Sequence, residues 1–442
     1  MSPLSREIQR RLLLALPRLR RIGQSAREFF RRLSGAPHRI DFFHQVDDPY
    51  SALALQAIIR LREHYNVEFR FHLVSQIDRV YAPEPELLAT YARRDCGRIA
   101  PHYGLQFPTE PATPSNESLR RVEEMLASLT QDPRFLEIAI EAACALWQDN
   151  EHDLAALVER VPSPSRADAQ LQIDLGNALR KRRRHYSGGM FWYAGEWYWG
   201  VDRLYHLERR LIALAAARDA HPLPRFDRPP LDPGPVQNEG RLRLEIFPSL
   251  RSPYTALIFE RSLKLAEQVG IPVTIRPVLP MVMRGVPAPA AKALYIMLDA
   301  LREAESIGEP FGNMLDPIGR PVERGFSLWP FADQQGRGAD YLAEFLRAAF
   351  ALGQPTGTDD ALKRIVEKAG LSFEAARPHL DGESWRVELE ANRQLLYDEL
   401  GLWGVPAYRL RGPAEEPDLC VWGQDRLWLV AAEIRRRLAA PS

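Results

Sequence analysis

Apolar residues in the first 39 positions recur at helical spacing: Leu12, Leu13, Leu14, Leu16, Leu19, Ile22, Phe29 and Phe30 stand among ten arginines, with Glu7 and Glu28 the only acids. The pattern predicts a basic amphipathic arm over residues 1–38. Such an arm fits a helix lying on an anionic membrane surface, an organelle transit segment, or a leader packed on the protein's own body. Residues 39–43 then read as a short strand, and Asp48-Pro49-Tyr50-Ser51 opens an apolar periodic run through Leu61. Pro49 suits a first helical turn, where its missing N–H leaves no bond unmade. Residues 67–74 are apolar enough for a second, parallel strand. From Pro85 to Arg180 the spacing is largely helical, with a loop around Pro108, Pro111 and Pro114. Two short aromatic strands, over 190–193 and 197–199, lead to a closing helix over 202–217.

Residues 219–240 carry Pro222, Pro224, Pro229, Pro230, Pro233 and Pro235, which exclude a helix and predict an extended linker. Past it the order of elements begins again. A strand is expected over 241–247, a helix from Pro253, a strand over 273–279, a helical middle, paired strands near 406–410 and 419–422, and a helix from Asp425. Residue matches support the repetition. Pro49-Tyr50-Ser51-Ala52-Leu53 corresponds to Pro253-Tyr254-Thr255-Ala256-Leu257 at an offset of 204, and Trp199-Gly200-Val201-Asp202-Arg203-Leu204 to Trp422-Gly423-Gln424-Asp425-Arg426-Leu427 at 223. The chain therefore reads as a tandem duplication: an arm (1–38), a first domain (39–218), a linker (219–240) and a second domain (241–442).

Composition narrows the function. Of 442 residues, 58 are Lys or Arg and 58 are Asp or Glu, a balance that argues against a nucleic-acid partner. Cys96, Cys144 and Cys420 lie far apart, with no C-x-x-C and no metal-ligand spacing, which fits a reduced cytoplasmic setting and no metal. No stretch approaches the roughly 18–20 apolar residues of a spanning helix, and no secretion signal is expected.

Strand-helix-strand, a helical insertion, two strands and a last helix is the order of a thioredoxin-type α/β fold. Its reactive group sits at the N-terminus of the first helix, where free N–H groups and the positive end of the dipole favour an anion such as a thiolate. Here those positions read Asp48-Pro49-Tyr50-Ser51 and Ser252-Pro253-Tyr254-Thr255, without a thiol, so dithiol exchange from them is chemically excluded. Cys420 falls in an expected strand, as a core residue rather than a reactive thiol.

Taken in order, Ser252-Pro253-Tyr254, Arg276-Pro277-Val278-Leu279, Lys292 to Asp299, Asn392, Gly404-Val405-Pro406 and Trp422 to Leu427 carry a family resemblance. The second half resembles the kappa-class glutathione transferase and 2-hydroxychromene-2-carboxylate isomerase family, the DsbA-like branch with serine in place of cysteine. The resemblance covers nearly all of 241–440 and, more weakly, 39–217, and implies two tandem DsbA-like domains, each with a helical insertion. It implies glutathione as cofactor, with the Ser252 hydroxyl donating to its sulfur; Ser252 also suits an N-cap, and both roles can hold together. Val405-Pro406 resembles the fold's cis-proline turn, whose backbone pairs with the cysteinyl segment, against an ordinary trans turn. Asp425 and Arg426, with Gln424 beside them, would hold the γ-glutamyl end, or Asp425 would simply cap a helix. Lys292 would reach the glycyl carboxylate, or stand solvated on its helix face.

The first half departs from this pattern. Asp48 replaces the serine, Leu88 stands for Lys292, and Gly188-Gly189-Met190, aligned with Gly404-Val405-Pro406, has no proline; only Asp202-Arg203 is kept. Lys181 to His185 fits either an anion site or a solvated charge run. The expected function is a glutathione-dependent isomerase or transferase acting on a small conjugated or electrophilic molecule. The alternative is a non-catalytic DsbA-like binding or scaffold protein. The proline-rich 310–335 segment, with Trp329, is expected to be a long loop acting as a lid over the substrate.

Overall fold

The computed structural model describes residues 3–161 and 165–439; the side chains of residues 3–13, Leu12 and Leu13 among them, lie outside the described part. The chain opens with the helix α1 (Pro3–Leu33). Contacts divide the protein into two compact units, one of Arg20–Pro229 and one that joins the chain up to Leu19 to the chain from Pro230 onward.

The first unit runs β1 (His38–His44), α2 (Pro49–His64), β2 (Val67–Leu73), α3 (Pro85–Ile99), α4 (Asn116–Ala127), α5 (Phe135–Trp147), α6 (Glu151–Arg160), α7 (Arg166–Arg182), β3 (Met190–Tyr193), β4 (Glu196–Trp199) and α8 (Leu204–Ala213). Its sheet has the order β2-β1-β3-β4. β1 is parallel to β2 and antiparallel to β3. The central β1 is buried on both faces, with Ile40, Phe42 and Phe43 all at 0 % exposure and the polar Asp41 and His44 buried beside them.

The second unit runs β5 (Arg243–Phe247), α9 (Pro253–Gln268), β6 (Val273–Ile275), α10 (Ala290–Ile307), α11 (Arg320–Ser327), α12 (Trp329–Gln334), α13 (Gly338–Phe350), α14 (Asp359–Lys368), α15 (Phe373–Ala376), α16 (Trp385–Gln394), β7 (Ala407–Arg411), β8 (Leu419–Trp422) and α17 (Leu427–Ala439). Its sheet order, β6-β5-β7-β8, repeats that of the first, again with only the first pair parallel. The pairing of Met190 with Trp199 and of Ala407 with Trp422 makes Met190 the counterpart of Ala407. Gly189, not Met190, thus stands where Pro406 does, a one-residue correction to the expected alignment. Gly200 donates its N–H to Gly189 O and Gly423 donates to Pro406 O, each at 2.9 Å.

Several expectations change on packing. β6 stops at Ile275 rather than residue 279 because Pro277 has no N–H for a ladder, although Arg276 N and Val278 N still donate to Ile246 O and Pro248 O. The expected lid loop is mostly helix: Pro321 and Pro330 sit in the first turns of α11 and α12, where proline is tolerated. Val322, Phe326, Leu328 and Trp329 of this segment are fully buried, so it is core. The proline-rich linker contains no helix or strand, yet it is not a free spacer. Arg225 N and Phe226 N donate to the buried Glu208 carboxylate, and Asn238 is tied to Val269 O, Leu242 and Gly270 O.

Candidate functional site

In the second unit the chain leaves the buried β5 and turns at Pro248–Ser252 into α9. Ser252 adopts extended backbone angles, and its Oγ accepts the Thr255 N–H at 3.1 Å, capping the helix. The same hydroxyl donates to Val405 O at 3.3 Å. That distance is long for an O–H···O bond, so the proton can be handed to a better acceptor without loss of the cap. The Val405–Pro406 peptide bond is cis; among the described residues the other cis bond is Gly412–Pro413. Gly404 precedes this turn because a Cβ there would lie 2.3 Å from the Trp422 indole nitrogen. Ser252, Val405 and Pro406 are thus brought together, at the positive end of α9.

Two arginines stand near this helix start. Arg251 adjoins Ser252 and is held in a bidentate pair by Asp316, both bonds 2.7 Å. Arg284, which the sequence reading did not assign, donates to Trp403 O at 3.1 Å and to Tyr397 Oη at 3.3 Å, which places its guanidinium beside the cis-proline turn. Its Nε is buried without an acceptor. Lys292 lies in the first turn of α10, where the dipole disfavours a cation, and burial lowers its pKa.

The segment after β8 is tied closely into the fold. Gln424 is 2 % exposed and its amide donates to the buried Glu303 carboxylate at 2.6 Å, so this side chain is committed to α10. Arg426 is also buried, with Nη1 on Asp425 O at 3.0 Å, while Asp425 remains partly open. Arg203 of the first unit makes the corresponding bond to Asp202 O at 3.3 Å and is equally buried. A feature shared by both helix starts supports the fold, and Asp425 is the member of the pair accessible to a ligand.

The first unit has the opposite electrostatics. Asp48 caps α2 by accepting the Tyr50 N–H at 3.1 Å, and burial together with the neighbouring Asp47 charge raises its pKa to about 7. Burial raises Asp47 as well, although Gln45 and Gln76 donate to it. A Cβ on Gly189 would lie 2.8 Å from Asp48 Oδ2, so the backbone at this turn closes on the carboxylate. His44 is fully buried against the Ser51 hydroxyl, and its pKa falls to about 3, so it is neutral at ordinary pH. A thiolate at this helix start would face two carboxyl groups. In the Lys181–His185 run, Arg183 is paired with Asp41 and His185 is buried, so it is not a solvated stretch throughout.

Paired long-range contacts escaped the sequence reading. Tyr50 donates to Asp95 at 2.7 Å, and Tyr254, 204 residues later, donates to Asp299 at 2.9 Å. His72 pairs with Asp41 across β1 and β2, and Arg276, just past β6, pairs with Glu245 of β5, again 204 residues on. Tyr50, Tyr254 and Asp299 lie within segments whose motifs were visible, but nothing local in the sequence announces that their polar ends meet Asp95 or one another.

Compared with known families, residues 243–435 match the model of the DSBA-like thioredoxin domain. Among solved structures, 2-hydroxychromene-2-carboxylate isomerase is similar at 21% identity, covering 44% of this chain and 94% of that one, with a TM-score of 0.36. The cytosolic disulfide reductase DsbM from Pseudomonas aeruginosa is similar at 21% identity, covering 44% of this chain and 99% of that one, with a TM-score of 0.36. The same reductase with GSH gives 21% identity, 44% and 100% coverage, and a TM-score of 0.35. No curated protein matches the chain.

Proposed function

We propose that the second unit binds glutathione as its thiolate and uses it on a small conjugated or electrophilic substrate, as an isomerase or transferase. The observation that carries this reading is the Ser252 hydroxyl, which caps α9 through its lone pair and makes only a long bond with its proton to Val405 O. Glutathione, when bound, supplies a soft sulfur nucleophile that is released again in an isomerisation or leaves with the substrate in a transfer. The chain's own part is to hold that sulfur ionised. Ser252 turns its O–H from Val405 O to the sulfur, and the α9 N-terminus adds positive potential without being consumed. Val405 and Pro406 present backbone to the cysteinyl segment. The Arg284 guanidinium and the Lys292 ammonium suit the carboxylates, and Asp425 suits the amino group. The same reading makes the first unit a duplicated copy that has lost thiol chemistry, with Asp48 in the place of Ser252.

Calorimetric titration of the full chain with glutathione tests this. Saturable binding is expected in the wild type, weakened in Lys292→Met and in Arg284→Met and unchanged in Asp48→Asn. Absence of saturable heat at millimolar glutathione would leave a non-catalytic scaffold.

A further inference from the structure

The C-terminal half of α1 is packed inside out. Arg20, Arg27 and Arg31, spaced so as to share one helix face, are turned to the first unit: Arg20 pairs with Glu196 at 3.4 Å, and Arg31 donates to Ala36 O at 2.7 Å. Arg27 lies so close to the β3–β4 turn that a Cβ on Gly195 would come within 2.5 Å of its guanidinium. Glu28 is neutralised by Arg31 and Arg32, which hold its pKa at about 2.

The opposite face is apolar and open. Leu19, Ile22, Ala26, Phe29, Phe30 and Leu33 follow one another at steps of three, four or one, a single stripe about 20 Å long. Ile22 is 66 %, Phe29 63 %, Phe30 64 % and Leu33 74 % exposed. A helix stabilised only by its own domain would bury this stripe and expose its arginines; here the polar face is anchored and the apolar face is presented. Arg18, Arg21 and Arg32 border the stripe on one side and are exposed, and the whole of α1 carries nine arginines against Glu7 and Glu28.

We propose that this stripe docks on an anionic lipid surface, with the helix lying in the plane of the headgroups. Phe29 and Phe30, their rings edge to face at 5.6 Å, would enter the acyl boundary while the bordering guanidiniums meet lipid phosphates. The charge selects an anionic surface over another apolar protein face. No described helix is long and apolar enough to cross a membrane, so the contact is peripheral. This attachment is separate from glutathione binding and stands or falls apart from it.

The test is co-flotation of the full chain with vesicles of phosphatidylcholine alone or mixed with phosphatidylglycerol. The wild type should float with the mixed vesicles and bind at least about tenfold more weakly to phosphatidylcholine alone or at high salt. Ile22→Ser/Phe29→Ser/Phe30→Ser and, separately, Arg18→Gln/Arg21→Gln should each lose about tenfold or more while keeping the wild-type circular dichroism and glutathione titration. Absence of flotation with mixed vesicles, or equal flotation of the serine variant, overturns the proposal. So does a wild-type dimer in solution that the serine substitutions convert to monomer, since a second copy would then cover the stripe.

Discussion

Replacing Asp48 by asparagine should stabilise the first unit, and by more at alkaline than at acid pH. Asparagine caps a helix as well as aspartate does, so the bond from Tyr50 N is kept. What is removed is a carboxyl group whose pKa is raised from 3.8 to about 7 by burial and by Asp47. Between those two values the folded wild type holds a proton at Asp48 that the unfolded chain has released. Its stability therefore falls as pH rises through that window, by about 1.4 kcal/mol per pH step of one, and levels off above the folded-state value. From about pH 5 to about pH 8 the loss amounts to roughly 2–3 kcal/mol, and the Asp48→Asn chain does not suffer it. Hydrogen exchange of the full chain, read by mass spectrometry on peptides spanning β1 and α2 and corrected for intrinsic rates, isolates the first unit. The advantage of Asp48→Asn should grow by that amount between the two pH values. An advantage that is constant with pH, or larger in acid, would refute the buried-carboxyl argument.

Tyr50→Phe and Tyr254→Phe should each destabilise their own unit by about 1.5–3 kcal/mol, because each deprives a buried aspartate of a donor. Urea unfolding monitored by exchange in α3 and α10 measures both; a clear loss in one and none in the other would break the equivalence of the two pairs. Ser252→Cys should create a thiol ionising below about 7.5, as thiols at helix N-termini do. Asp48→Cys, beside the Asp47 carboxyl, should ionise above an ordinary thiol; iodoacetamide rates against pH, with the wild type as background, decide this, and the reverse order would contradict the charge contrast drawn between the helix starts.

Much of the architecture was legible in the sequence because it is written locally. Proline after a capping residue marked both helix starts, and the paired strands before each closing helix, aromatic in the first half, marked the hairpins. The same cue misled at Pro321 and Pro330: proline was taken for loop when it stands equally well in a first helical turn, and only the burial of Phe326 and Trp329 shows which applies. The alignment at Gly189 slipped by one residue because the two hairpins differ in length, and strand register is a pairing property that a single strand does not reveal. At the site, Ser252 and the Val405–Pro406 turn could be placed by motif. The bond from Gln424 to Glu303 was not legible, because its partner lies 121 residues away. Arg284 escaped for the same reason, since its role rests on Trp403 and Tyr397 across the fold.

The central claim is that Ser252 holds a bound sulfur as thiolate. Ultraviolet titration of the thiolate band with glutathione saturating the full chain tests it most directly, in the wild type and in Ser252→Ala. Bound thiol in the wild type should ionise well below the ordinary value of about 8.5, and loss of one hydrogen bond to a charged sulfur should raise that pKa by about one to two in Ser252→Ala while glutathione still binds. A bound thiol with the same pKa in both proteins would leave Ser252 only its capping bond to Thr255 and contradict the account.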